Sequence, residues 1–144
     1  MDPATDTCLK ERYLSPVACE FPAIDPRCAG ADVPCAFAIR TKTIGGPNRY
    51  GPPNEGILID AVLKFDLTTC DDAGVMDAAT DDLDCVSDAW DCPENYFLVS
   101  EPTFVPKRHG RRGDGGYVLV FLTRVNDDAT RDSRLCVLDG EDLA

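Results

Sequence analysis

The sequence predicts an all-β chain of antiparallel strands. Its apolar residues come in short runs of strand length, and each run is bounded by Gly, Pro, Asn or Asp, the residues that commonly end strands. Helical periodicity is scarce. The clearest local pattern is a hairpin in which two apolar runs flank the polar segment Arg124–Asp132.

Five apolar runs are the predicted strands. Both arms of the hairpin are almost continuously apolar, which is typical of a sheet that is covered on both faces. The segment Thr41–Gly56 is rich in Gly and Pro, so we expect a long irregular connection there. The stretch Val99–Arg124 indicates a short strand, a Gly/Arg loop and a long strand. The predicted strands are Val33–Ile39, Gly56–Leu67, Asn95–Val99, Tyr117–Thr123 and Ser133–Asp139.

Composition excludes several classes of protein. The 144 residues suit one domain or part of a larger one, and an apolar fraction of 44% is that of a globular protein. A net charge of -12 disfavours nucleic-acid binding, because it repels phosphate. No apolar run approaches the roughly 18 residues of a membrane-spanning helix. The N-terminal residues resemble neither a secretory signal nor a transit peptide, so we expect an intracellular protein, in cytoplasm or plastid, that is not secreted.

The cysteines favour free thiols. Their even number would suit disulfides in a secreted chain, but no secretion signal supports that interpretation. No Cys-x-x-Cys pair occurs and the only histidine is His109, so the spacing of a zinc site is absent. We expect buried or half-buried thiols that act as small hydrophobic groups. The cysteines are Cys8, Cys19, Cys28, Cys35, Cys70, Cys85, Cys92 and Cys136.

The segment Cys70–Cys92 is acidic, with eight Asp and no basic residue. The alternation of Asp82 and Asp84 raises a calcium loop as an alternative, but the glycine turn and terminal Glu of an EF-hand are missing. We therefore predict a solvated acidic excursion between two strands, exposed and poorly ordered.

The basic loop after the short strand has two interpretations. Lys107, Arg108 and its other basic residues could contact an anionic partner, but a solvated hairpin loop is the simpler interpretation. The tripeptide Arg112–Asp114 matches an adhesion motif, yet three residues recur by chance, and we predict a flexible connector. His109 lies in the same loop without rigid support. The residues by themselves show no complete active site.

Five phrases, in one order, resemble the carotenoid cleavage oxygenases. The first contains Glu-Phe-Pro and Pro-Arg, and the fourth contains Glu-Pro-x-Phe-Val-Pro followed by Gly-Tyr-Val-Leu. The phrases are Cys19–Gly30, Cys35–Arg40, Leu58–Thr69, Ser100–Thr123 and Ser133–Ala144. Residues 1–18 show no clear match, and residues 19–144 resemble part of the family's domain, with an acidic insertion at 71–94.

The resemblance implies a partial seven-bladed β-propeller of about two blades. The family places Fe(II) on the propeller axis, held by four histidines, and cleaves a double bond of a carotenoid or apocarotenoid with dioxygen. This stretch is similar to the late part of the fold, between the phrases that carry the third and fourth histidines. His109 matches none of them. The resemblance therefore implies a fragment of such an enzyme that holds no metal and has no catalytic residue of its own.

Two residues acquire a role from the resemblance. Glu20 and Glu101 occupy the positions at which the family's glutamates accept hydrogen bonds from iron-bound histidines. A ligating imidazole needs an acceptor for its other N–H, because that bond fixes its tautomer and ring direction. We expect Glu20 and Glu101 to be such acceptors.

A second function stays open beside the enzyme fragment. The chain could be a stand-alone, non-catalytic β module that binds a protein partner or an apolar ligand. For the complete enzyme, the implied partners are the carotenoid or apocarotenoid substrate and dioxygen, without nucleic acid, and a peripheral membrane contact is left open.

Iron retention tests the first of these expectations. Because the histidine ligands are missing from this chain, the isolated protein should neither retain Fe(II) nor cleave β-carotene or an apocarotenal. Metal analysis after purification in the presence of Fe(II) checks this, and stoichiometric iron would contradict it.

Overall fold

The computed structural model describes residues 14–44, 56–69, 85–126 and 130–144. These residues form eight strands and one 3-10 turn, Pro26–Cys28, and include no helix of the length and apolar character needed to cross a membrane. The strands are β1 Cys19–Ile24, β2 Cys35–Ile44, β3 Gly56–Asp66, β4 Val86–Asp91, β5 Phe97–Leu98, β6 Thr103–Pro106, β7 Gly116–Val125 and β8 Arg131–Asp139.

The first sheet contains β1 to β4 in chain order, and each strand pairs antiparallel with the next. Strands β2 and β3 are the longest pair, with Ala38 opposite Leu63. Such a meander results when strands that are consecutive in the sequence pair with each other.

The second sheet is organised around β7. Strand β8 pairs with one side of β7, and β5 and β6 pair one after the other with the opposite side. Strands β5 and β6 are thus two parts of one interrupted edge strand, and the sheet is three strands wide.

The main hydrophobic core lies between the two sheets. Phe37 of β2 and Val62 of β3 are fully buried there, together with Val118 and Val120 of β7. The ring of Phe37 stacks on that of Phe104 of β6, with 5.4 Å between the centroids. A contact between aromatic rings therefore joins the sheets at the centre of this core.

The other face of the first sheet is covered as well. Ala61, Leu63 and Phe65 of β3 are buried in a second cluster, against which Leu14 and Val17 pack. Strand β3 alternates between the two cores, as a strand buried on both faces must.

The predicted all-β antiparallel class is confirmed, and strands lie at all five apolar runs. Strands β1 and β4 were not predicted. The prediction of an acidic excursion is wrong for residues 86–91, because they form β4, which pairs with β3 from Ala61 to Phe65. Asp82 and Asp84, residues 45–55 of the expected irregular connection and the N-terminal part of the acidic segment lie outside the described residues.

The outer face of the second sheet is apolar and exposed. Phe121 of β7 lies opposite Leu135 of β8, and the two are 51% and 53% exposed. Val137 and Tyr117 continue the same face, with exposures of 53% and 42%. The expectation that both faces of this sheet are covered is therefore wrong for the chain by itself. We call these four residues the outer apolar face.

This face should make the chain prone to self-association. Exposed patches of this kind bind apolar probes or other copies of the chain, and a net charge of -12 opposes but does not remove that tendency. The double substitution Phe121→Lys and Leu135→Lys should reduce binding of a hydrophobic dye and shift oligomers to monomer in size-exclusion chromatography with light scattering. The matched control, Arg108→Lys with Arg112→Lys in the exposed basic loop, should change neither. A native chain that is already a dye-free monomer would contradict the prediction.

Candidate functional site

Glu20 lies in β1, at the edge of the first sheet. It is aligned with Ile39, which is buried between the sheets, so Glu20 belongs to the side of its sheet that faces the second sheet. The next aligned pair is Ala23 with Phe37, which leaves one extra residue in β1, and Phe21 has a φ of 53° at this bulge. Bulges redirect side chains and are common beside functional sites. The Glu20 carboxylate is exposed.

Glu101 lies in the interruption between β5 and β6. Four residues, 99–102, lie opposite two residues of β7, so this edge contains a larger bulge. The hydroxyl of Ser100 accepts the N–H of Phe121 at 2.9 Å and holds the bulge to β7. Pro102 is buried, whereas Glu101 is exposed.

The two glutamates belong to neighbouring strands. Strand β1 lies beside β6 across the gap between the sheets, although the two strands do not pair. Within the described part of the chain, neither carboxylate accepts a hydrogen bond. Glu20 and Glu101 are thus two free acceptors at bulged edges of adjoining strands. Their role toward an iron-bound histidine stays a prediction.

Among the described residues, no group of three or more His, Cys, Asp or Glu could hold a metal ion. His109 is exposed in the loop between β6 and β7. The carboxylates of Glu20 and Glu101 have the chemistry to accept imidazole N–H groups, but the described residues contain no set of iron ligands.

The most extensive polar contact lies at the ends of β1 and β6. Asp25 follows β1, is 0% exposed and accepts Arg27 Nε and Gly113 N–H, both at 3.0 Å. Arg27 extends to the other sheet, donating to the carbonyl oxygens of Gly110 at 3.1 Å and Arg111 at 2.9 Å. We call this set, Asp25 and Arg27 with the backbone of residues 110–113, the Asp25–Arg27 clamp.

The clamp keeps the carboxylate of Asp25 ionised. Burial acts to raise the pKa of Asp25, but the hydrogen bonds from Arg27 and from the Gly113 N–H outweigh it and lower the pKa to about 2. Asp25 therefore stays ionised in the folded protein throughout the neutral range.

Gly113 is required by the same contact. Its φ of +101° is a conformation that L-residues with side chains rarely adopt, and a Cβ there would lie 2.6 Å from Cγ of Pro34. The loop therefore packs directly onto the segment before β2.

Asp114 ties the loop to the first sheet a second time. It is 6% exposed and pairs with Lys64 at 3.1 Å and with Arg111 Nε at 2.9 Å, while Lys64 also donates to the carbonyl oxygen of Glu141 at 2.6 Å. Burial raises the pKa of Asp114, but its bonds to Arg111 and Lys64 lower it further than burial raises it. The predicted flexible, solvated connector is therefore wrong: residues 113–116 are buried and the loop is anchored.

Comparison with known proteins decides the family to which the chain belongs. A sequence model of the family described as "Retinal pigment epithelial membrane protein" matches residues 1–144. The chain belongs to this family. The predicted resemblance to carotenoid cleavage oxygenases is thereby confirmed, and the match also spans residues 1–18, where no resemblance was evident.

Solved structures agree with the retinal pigment epithelial membrane protein family. Lignostilbene dioxygenase of Pseudomonas brassicacearum is 25% identical, with a TM-score of 0.63 over 91% of this chain. Cobalt-substituted apocarotenoid oxygenase of Synechocystis is 22% identical, with a TM-score of 0.59 over 90% of this chain, a likeness of fold. The chain spans 23% and 21% of these two proteins. None of the curated proteins matches it in sequence.

Burial keeps two of the described thiols protonated. Burial raises the pKa of Cys35 to about 12 and that of Cys92 to about 11, so both remain protonated at neutral pH. Cys19, Cys28, Cys35, Cys92 and Cys136 are free, as predicted, but Cys19 is exposed rather than buried or half-buried. Cys85 is disulfide-bonded, which corrects the prediction of a free thiol there.

One cleft lies beside the clamp, with a volume of about 390 Å³. Lys64 and Arg111, which both pair with Asp114, are among its lining residues, as are Cys35 and Asp142. Two of the charged groups that line the cleft therefore already have a carboxylate partner within the chain.

Proposed function

We propose that this chain is part of a non-haem Fe(II) dioxygenase that cleaves a double bond of a carotenoid or apocarotenoid. The observation that carries the proposal is the match of the family's sequence model to all 144 residues. The two free carboxylates at bulged edges of adjoining strands support it, since they are the features that an outer shell around histidine ligands requires. Lignostilbene dioxygenase, the neighbour at 25% identity, makes a stilbene the alternative class of substrate.

The architecture supports a fragment of about two propeller blades. The first sheet, a four-stranded meander, has the form of one blade. The second sheet, three strands wide, has the form of part of another blade. In the complete protein, a following blade would cover the outer apolar face. This would explain why the residues of that face are apolar although they are exposed in the chain by itself.

In the complete enzyme, Fe(II) supplies the activation of dioxygen when it is bound. Glu20 and Glu101 accept the outer N–H of ligating imidazoles, and each bond keeps the inner nitrogen unprotonated and directed at the metal position. Both glutamates lie at bulges, which commonly redirect side chains, and Pro102 restricts the backbone next to Glu101. These residues position groups and carry no bond-breaking step themselves.

Substitution of the two glutamates tests the proposal in a complete dioxygenase that contains this segment. Glu20→Gln and Glu101→Gln preserve size but remove the negative charge that faces the imidazole N–H. Each should lower iron affinity and turnover by about 10- to 100-fold, the usual effect of losing such an outer contact. Metal analysis and oxygen consumption provide the measurements.

The controls are Glu94→Gln and Glu141→Gln, because both side chains are exposed. Neither should alter iron affinity or turnover. If Glu20→Gln and Glu101→Gln are as silent as these controls while the parent protein is active, the roles of the two glutamates are wrong and the family assignment alone survives.

The outer apolar face also supports the second candidate, a stand-alone β module that binds an apolar ligand or a partner. The behaviour of the 144-residue chain separates the two. A sharp, cooperative thermal transition of a monomer favours the stand-alone module, and a broad transition of dye-binding oligomers favours a fragment.

A further inference from the structure

The clamp joins the end of β1, the strand that contains Glu20, to the loop after β6, the strand that begins just after Glu101. Strand β1 contains Glu20 and ends at Ile24, directly before Asp25. Strand β6 begins two residues after Glu101 and leads into the loop that the clamp holds. Each glutamate is therefore connected to the clamp by a single strand.

The contacts of the clamp are of a kind that fixes position. Arg27 and Asp25 contact the backbone of residues 110–113, and the participating partners are 83 to 88 residues apart in the chain. Three bonds of 2.9 to 3.1 Å cross between the sheets, and the Arg27–Asp25 ion pair at 2.8 Å fixes the guanidinium that makes two of them. A planar guanidinium bound on two sides leaves little freedom to slide or rotate.

A small displacement at the clamp would be transmitted to the glutamates. Glu20 is five residues from Asp25, about 16 Å along a strand at roughly 3.3 Å per residue. Because β1 and β6 do not pair, no ladder of backbone hydrogen bonds fixes their relative position. The described contacts that can fix it are the packing of the core, the Asp114–Lys64 pair and the clamp. Of these, the clamp joins the segment that directly follows β1 to the loop that follows β6.

We infer that Asp25 and Arg27 are positioning residues of the iron site: they set the separation of Glu20 and Glu101 by fixing β1 against β6. This inference rests on the proposed function. It adds two residues that contact neither the metal position nor the glutamates themselves.

Two substitutions separate positioning from stability. Arg27→Lys keeps a cation beside Asp25 but removes the planar fork that reaches Gly110 and Arg111. Asp25→Asn removes the charge and should destabilise the protein more. The control is Lys107→Gln, which breaks the 2.7 Å pair with Asp139 at the start of the same loop but leaves the clamp intact.

The test uses the complete dioxygenase with Co(II) in place of iron. The visible absorption of Co(II) reports the geometry of its ligands independently of turnover, and chelator competition reports affinity. Arg27→Lys should shift the Co(II) bands and weaken metal affinity by about 10-fold, with KM changed less than kcat. Lys107→Gln should leave the spectrum and the affinity at the parent values.

The possible outcomes are distinct. An Arg27→Lys protein that unfolds at a lower temperature but keeps the parent spectrum and affinity overturns the inference, because the clamp would then be structural alone. If Asp25→Asn does not fold, Arg27→Lys decides. A parent protein that takes up neither Co(II) nor Fe(II) refutes the proposed function, and this inference with it.

Discussion

Asp25→Asn is expected to lower the free energy of unfolding by about 3 kcal/mol. The substitution leaves the Arg27 guanidinium without its charged partner, and an amide cannot accept from Arg27 and Gly113 as a carboxylate does. Removing one member of a buried pair typically costs about 3–5 kcal/mol. The lower end applies here, because the Arg27 side chain is 28% exposed. Urea titration of the monomeric Phe121→Lys/Leu135→Lys protein measures the change.

The control for this substitution is Asp91→Asn. Asp91 also pairs with an arginine, Arg40, at 2.7 Å, but its side chain is 71% exposed. Exposed ion pairs contribute roughly 0–1 kcal/mol, so this change should be small. Equal effects of the two substitutions would show that the clamp is no stronger than a surface pair.

The pH dependence follows from the same carboxylate. Its folded pKa of about 2 lies below the ordinary value of 3.8. A lowered pKa stabilises the folded state above the unfolded value, and that contribution is lost as pH falls from 3.8 toward 2. The loss amounts to about 2 kcal/mol. In the Asp25→Asn protein, stability should fall less steeply across this interval.

Phe37→Ala is expected to cost about 3–5 kcal/mol, the usual range for a large side chain removed from a core. Phe37 is 0% exposed and stacks on Phe104, so the substitution leaves a cavity between the sheets. Urea titration in the same background should show a lower midpoint with an unchanged slope. Val99→Ala, at a side chain that is 52% exposed, should change stability by less than about 0.5 kcal/mol.

A double-mutant cycle measures the interaction free energy between the rings of Phe37 and Phe104. Phe37→Ala and Phe104→Ala together should cost less than the sum of the two, by about 0.5–1.5 kcal/mol, because the ring contact is lost in either single variant. Strict additivity would mean that the stacked rings contribute only by burial.

The strands that could be predicted from sequence are those that fill the cores. Strands β2, β3 and β7 bury several apolar side chains each, so their sequences are apolar runs bounded by turn residues. Strand β8 is also an apolar run, although it buries Leu138 and leaves Leu135 and Val137 on the outer apolar face. Strand β4, with the sequence VSDAWD, alternates between half-buried and exposed positions. Its apolar pattern is short and interrupted by aspartates, and pairing with β3 rather than composition makes it a strand.

The clamp could not be predicted in the same way. The segment containing Asp25 and Arg27 resembles an ordinary turn, in which an Asp precedes a Pro, and Asp25 does accept the Arg27 N–H as such a turn residue would. The bonds that this segment makes to the other sheet depend on residues 83 to 88 positions away in the chain, and no local sequence pattern reveals them. The glycines of the loop between β6 and β7 were the available signal for such a contact, because glycine also marks positions where two backbones approach closely. Glu20 and Glu101 were found by resemblance, and their roles stay predictions.

The distance in sequence between the two halves of the clamp implies an order of folding. Within each sheet, most pairings join strands that are neighbours along the chain, and a hairpin such as β7–β8, whose strands are separated by residues 126–130, has only a short loop to close. The clamp joins segments more than eighty residues apart and can form only after both sheets have brought Arg27 and the loop together. We therefore expect the docking of one sheet on the other to be a late step of folding, with the clamp among the last contacts to form.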